Sequence, residues 1–224
     1  AYEFEKGGWD NEKNYVAMTA PYYCSFAANP KAWSGSTNGL VKGECVLLDV
    51  QEKADLEKYK AKLAGKIVST PVQQTYEIKF EPLASRYTEE QLVELAQDPR
   101  PSNRRRMTGN WQAMRELQNA ISQFLKSENA LAVVSGSGVF NVPSSRGVQY
   151  KQGDPEPTPE IILPIEDHGR MARLLKRGEK VEMELEIKNS FTNNTKINNV
   201  IAEIPGTDPK LKNEIVLIGA HLDS

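Results

Sequence analysis

With 224 residues, 28 Lys and Arg against 30 Asp and Glu, and a formal charge of −2, the chain has the length of one large or two modest domains and the balance of a soluble globular protein. That balance excludes a general polyanion-binding role, and no apolar stretch approaches the roughly 18 to 20 residues of a membrane span. The opening residues Ala1-Tyr2-Glu3-Phe4 carry neither an initiator Met nor a signal-peptide pattern, which suits a mature chain whose leader has been removed.

Residues 1 to 44 are irregular and aromatic, with Trp9, Tyr15, Tyr22, Tyr23, Phe26 and Trp33 separated by Gly, Pro, Asn and Ser. Pro21 and Pro30 interrupt any helix, so the segment is expected to be an extended arm with one short helical turn around Asp10 to Ala17. Its aromatics are expected to pack onto a neighbouring domain. Regular patterning begins after Glu44. Val46 to Val50 predicts a short buried strand, and Asp55 to Leu63 a helix with Leu56, Tyr59 and Leu63 on one face and Gly65 at its C′ position. Lys66 to Thr70 predicts the next strand. Cys24 and Cys45 form no Cys-x-x-Cys pair; two free thiols are the default, and a disulfide in an oxidising compartment also fits.

Thr88-Glu89-Glu90-Gln91 is a capping box that opens a helix through Ala96. A loop from Asp98 to Arg106 then carries Arg100, Arg104, Arg105 and Arg106. Without interleaved aromatics or a nucleic-acid motif it is a solvated loop, and no nucleic-acid partner is implied. Trp111, Met114, Leu117, Ile121 and Phe124, spaced by three and four, predict a helix from about Asn110 to Lys126 with those side chains in a core. Ala130 to Val134 predicts a buried strand running into Ser135-Gly136-Ser137-Gly138. No helix signal follows that Gly-x-Gly and Pro143 comes soon after, which argues against a phosphate loop. A proline-stiffened loop over 153–159 leads to a strand at Ile161 to Ile165 and a helix from Glu166 to Arg177, with Met171, Leu174 and Leu175 inward. His168 lies in the first turn of that helix beside Glu166 and Asp167. Sequence neighbours on a helix do not face one another, so His168 is expected at the surface. Val181, Met183, Leu185 and Ile187 alternate with Glu182, Glu184, Glu186 and Lys188, a half-buried strand, and Asn198 to Ile204 predicts another.

The last ten residues carry the chemistry. Ile215-Val216-Leu217-Ile218 is uncharged and aliphatic, and the turn-rich Pro205 to Pro209 precedes it, so it is expected to be a strand buried on both faces. His221 falls at the carboxyl end of that strand, where open α/β sheets bind their ligands. Neutral imidazole is the commonest protein ligand for zinc, and its second ring nitrogen usually donates to a carboxylate. His221-Leu222-Asp223 therefore has the form of a metal ligand followed by its orienter.

Val216-Leu217-Ile218-Gly219-Ala220-His221-Leu222-Asp223-Ser224 resembles the strand that bears the first zinc ligand in the two-zinc exopeptidases, the family of bacterial aminopeptidases and glutamate carboxypeptidases. Gly8-Trp9-Asp10 to Met18-Thr19-Ala20-Pro21, followed by Pro30-Lys31-Ala32-Trp33-Ser34, resembles the region before the inserted domain in carboxypeptidases of the plasma glutamate carboxypeptidase type. Leu63 to Val68, then Ala130 to Ser135, then Ile161 to Gly178 resemble in order the protease-associated domain, which lies over the active site in that family. The fold class implied is α/β: a protease-associated domain, a mixed sheet with flanking helices, joined to the opening strands of a zinc-exopeptidase sheet. The division implied is an arm at 1–44, a protease-associated-like domain at 45–178 and the first strands of the peptidase domain at 179–224. The stretch from Thr88 to Lys126 is longer than a minimal protease-associated domain needs.

The resemblance implies hydrolysis of short peptides from one end by a zinc-activated water, since zinc acidifies bound water and polarises the scissile carbonyl. His221 would bind one of two zinc ions and Asp223 would orient it. The bridging Asp, the Glu pair and the other ligands of the family follow this motif and have no counterparts among these 224 residues. A catalytic zinc takes about three protein ligands. The chain is thus expected to be the amino-terminal portion of a secreted, periplasmic or otherwise extracytoplasmic enzyme, inactive alone. The alternative is a non-catalytic protein-interaction module on a peptidase-like scaffold, as in relatives such as the transferrin receptor. Residues 179 to 224 must cover their apolar faces without further strands, which leaves pairing with a second copy, a homodimer, or partial disorder.

Overall fold

The computed structural model describes residues 2–3, 6–72, 80–82, 84–97, 111–138, 142–144, 146–211 and 214–220. A two-residue period governs its longest strand pair. In β9 (Glu182–Thr192), Met183, Leu185 and Ile187 are buried and the intervening glutamates are half-buried. β9 runs antiparallel to β2 (Gly8–Ala20), from Gly8 opposite Thr192 to Ala20 opposite Glu182. The helical turn expected around Asp10 to Ala17 is therefore a strand. Val16 and Met18 enter the same core as the apolar row of β9, and pairing along thirteen residues outweighs a weak local preference.

Eight strands form one mixed sheet, in the order β3 (Cys24–Ser25), β2, β9, β5 (Val41–Leu47), β6 (Ile67–Ser69), β7 (Ala132–Gly136), β8 (Glu160–Leu163) and β4 (Asn29–Pro30). The run β5 to β8 is parallel and the other pairings are antiparallel. The expected class, a mixed α/β sheet with flanking helices, is the one observed. A separate pairing joins β1 (Tyr2–Glu3) to β10 (Lys196–Ile197). Strands from both flanking segments thus share one sheet with those of residues 45–178.

The parallel strands are apolar at successive positions because both of their faces are covered. Ile67, Ala132, Val134, Ile161 and Leu163 point into one core with Val16, Met18, Phe26 and the β9 row, closed by Met171 of α3 (Ile165–Lys176). Val68 and Val133 point the other way. There they meet Leu48, Leu63 and Leu125, the last from α2 (Trp111–Ser127). The helix expected at Asp55 to Leu63 is a shorter 3-10 helix, Lys53–Tyr59. Lys60 leaves the helical path at ψ 132°, Ala61 follows at φ +58°, and Leu63 still reaches the second core. α1 (Glu89–Gln97) buries none of its residues. Its capping box is formed, with the Gln91 amide donating to Thr88 Oγ1 at 3.3 Å and the Thr88 amide to Gln91 Oε1 at 2.9 Å.

Two expected strands are not formed. Asn198 to Ile204 and Ile215 to Ala220 have no regular structure, and Ile215 to Ile218 are 88 to 91% exposed. A strand buried on both faces needs hydrogen-bonding neighbours and a layer on each side. The described sheet ends at β3 and β4.

Candidate functional site

His221 and Asp223 lie outside the described residues, as does the arginine loop from Asp98 to Arg106. Among the described residues no group of three or more His, Cys, Asp or Glu side chains could hold a metal ion. This part of the chain does not by itself fit a resident zinc. The same residues include no helix long and apolar enough to cross a membrane.

At the carboxyl ends of the parallel strands, the structure assembles a different polar pair. Ser69, last residue of β6, is fully buried, and its Oγ lies 3.2 Å from Nε2 of His168 in α3. The same hydroxyl is 3.3 Å from the Thr70 carbonyl. His168 is 1% exposed, so the expectation that it faces solvent is corrected. The reason is helical spacing: Ile165, His168, Met171 and Ala172 lie on one inward face of α3. Its backbone amide donates to the Pro164 carbonyl at 3.0 Å. The imidazole also packs against bare backbone of β7: a Cβ on Gly136 would fall 2.5 Å from Nδ1 and 2.9 Å from the His168 Cβ. Burial pushes the His168 pKa down from 6.5 to about 4, opposed only in part by the Thr70 backbone. A neutral imidazole sealed in this way ties α3 to β6 and β7 and has no access to a substrate.

Tyr15 donates to Glu184 Oε1 at 2.6 Å while Lys42 pairs with Oε2 at 2.7 Å, which holds the Glu184 carboxyl below its ordinary range and raises the Tyr15 phenol. Lys13–Glu186 and Glu12–Lys188, both at 2.6 Å, continue this ladder along the β2–β9 ribbon. The two cysteines are free. Cys24 accepts from Arg170 Nη2 at 3.0 Å. Desolvation pushes the buried Cys45 thiol up to about 12. Of the aromatics of the first segment, Phe26 enters the main core, the Trp9 and Trp33 indoles donate to the Ser34 and Gly7 carbonyls, and Tyr22 and Tyr23 are exposed.

No protein-family model matches the chain. A stretch of 75 residues, 34% of the chain, is 36% identical to carboxypeptidase Q of Rattus norvegicus and spans 15% of that protein. Among solved structures, a peptidase M28 precursor of Shewanella amazonensis superposes with a TM-score of 0.54 at 12% identity, over 86% of this chain and 38% of that one. An aminopeptidase of Aneurinibacillus sp. strain AM-1 gives 0.50 at 13% identity, over 84% and 34%. This is a likeness of fold. The chain spans little over a third of the solved proteins it matches.

Proposed function

We propose that the chain is the amino-terminal part of a zinc-dependent exopeptidase acting on short peptides outside the cytoplasm, with residues 45–178 forming a protease-associated-like lid over the active site. The observation that carries this reading is the 36% identity over 75 residues with a carboxypeptidase. The fold shared with an M28 peptidase precursor and an aminopeptidase supports it. So does the β2–β9 ribbon, whose antiparallel course brings the incoming and outgoing strands side by side, as a unit inserted into another domain requires. In this reading His221 binds one of two zinc ions and Asp223 orients its imidazole, while the remaining ligands come from chain beyond Ser224. The described residues supply no group of three or more metal-ligating side chains, which is consistent with a site completed by residues outside them.

The test is His221→Ala in the full-length protein, with zinc content and aminopeptidase and carboxypeptidase turnover measured together. Loss of turnover and of zinc is expected; full retention of both refutes the assignment. The competing reading, a non-catalytic interaction module, is favoured by α1, a helix that buries none of its residues and exposes Leu92, Val93 and Leu95. A full-length wild-type protein with neither zinc nor turnover would decide for it.

A further inference from the structure

We infer that His168 is an acid-released latch fastening α3 to the carboxyl ends of β6 and β7. This goes beyond the peptidase reading and does not depend on it, since every group involved lies within the described fold.

The groups packed around the imidazole are Ser69 of β6, the Thr70 backbone that follows it and the Gly136 backbone of β7. None is charged. Of the charged residues on its own helix, Asp167 is turned to Arg170, with Oδ1 2.7 Å from Nη2, and the Arg173 guanidinium lies beside Gly169. No carboxylate among the described residues acts on the ring to stabilise an imidazolium. Protonation would place a cation in a buried, uncharged enclosure with one hydroxyl as its side-chain partner, which favours opening of the interface so that water can solvate the charge. On the β7 side the space is too small even for a methyl group, which at Gly136 would fall 2.5 Å from Nδ1, so the closed interface leaves no room there for a solvating water.

The sign follows from linkage. The pKa in the folded state lies below that of the exposed side chain, so the opened state binds the proton more tightly. Closure is fully favoured above about pH 6.5, weakens as pH falls, and has lost the whole His168 contribution by about pH 4. The ratio of the two proton affinities sets the limit at roughly 300-fold in the closing equilibrium. Carboxylates titrate over part of this range, so the latch is read as a difference between two proteins.

The experiment is amide hydrogen exchange of the full chain from pH 7 to pH 4, corrected for intrinsic rates, on wild type and His168→Gln. Protection of the α3 amides is expected to fall at least 30-fold more in wild type than in the variant, and to fall before that of the β9 amides. Parallel profiles in the two proteins overturn the proposal, as does simultaneous loss of α3 and β9 in wild type. If His168→Gln does not fold, an NMR titration of the wild-type imidazole replaces it, with the only other histidine, His221, removed as His221→Gln. A midpoint below about pH 5 accompanied by loss of α3 amide protection ahead of β9 over the same range supports the latch; a midpoint at or above that value, or protonation without loss of α3 protection, refutes it.

Discussion

Leu185→Ala tests whether the β2–β9 ribbon is integral to the fold or a strap laid against it. Leu185 is fully buried in β9, opposite Val16 of β2 and Val41 of β5, within the core that also holds Ile67, Val134, Leu163 and Met171. Truncation removes about 2.4 kcal/mol of transfer free energy at about 0.8 kcal/mol per methylene, and the unfilled cavity adds to it. The expected total is about 3 to 4 kcal/mol. With a urea m-value of about 2.5 kcal/mol/M, the midpoint drops by about 1.4 M at unchanged m. The next residue supplies the control: Glu186 points outward to Lys13, with side chains 28% and 52% exposed, so Glu186→Ala is worth about 0 to 1 kcal/mol. In a background with Trp33 and Trp111 replaced by Phe, the fluorescence of Trp9, on β2, reports the ribbon, and far-UV circular dichroism reports the whole sheet. Both probes should give one coincident transition. A Leu185→Ala loss below about 1 kcal/mol, or two separate transitions, refutes the reasoning.

Gly136→Ala places a methyl 2.5 Å from His168 Nδ1 and should destabilise the chain by about 1 to 3 kcal/mol, measured by urea unfolding. Combining it with His168→Ala should recover part of that loss, and strict additivity would show that the contact is not the cause. Thr88→Ala removes the side-chain cap of an otherwise unburied helix. Exchange of the α1 amides should therefore speed about fivefold, for about 1 kcal/mol, while the global unfolding midpoint does not move. Under native conditions a thiol reagent should modify the partly exposed Cys24 and leave the buried Cys45, whose thiol burial holds protonated, until the chain unfolds.

What could be read in advance was whatever a single period decides. The alternation of Met183, Leu185 and Ile187 with glutamates specified β9, and the apolar spacing specified α2, whose Ile121 and Phe124 meet a core, whereas Met114, expected in the same core, is 61% exposed. β2 escaped because only Val16, Ala17 and Met18 of its thirteen residues are fully buried. It is a strand because β9 lies beside it, a contact more than 160 residues away in sequence. His168 was legible and misassigned. Its acidic neighbours drew attention to the helix terminus, whereas its spacing of three and four from Ile165, Met171 and Ala172 already placed it inward. A histidine in register with an apolar stripe belongs to the core unless something holds it out.

The same reasoning makes a demand on residues 215–218. Ile215, Val216, Leu217 and Ile218 stand about 90% exposed and belong to no strand. Burying each such side chain is worth about 1.5 to 3 kcal/mol, so together they leave on the order of 6 to 12 kcal/mol of burial unrealised. No period of two or 3.6 can hide four consecutive apolar residues on one face; only a strand covered on both faces uses them all. If the strand ending at His221 is the zinc-bearing strand of a peptidase sheet, the amides of 215–218 in the full-length protein should exchange as slowly as those of β7. In the 224-residue chain they should exchange at close to unprotected rates. Rapid exchange in the full-length protein would mean that this strand is not built into a sheet, and without the sheet nothing aims the imidazole of His221 at a metal.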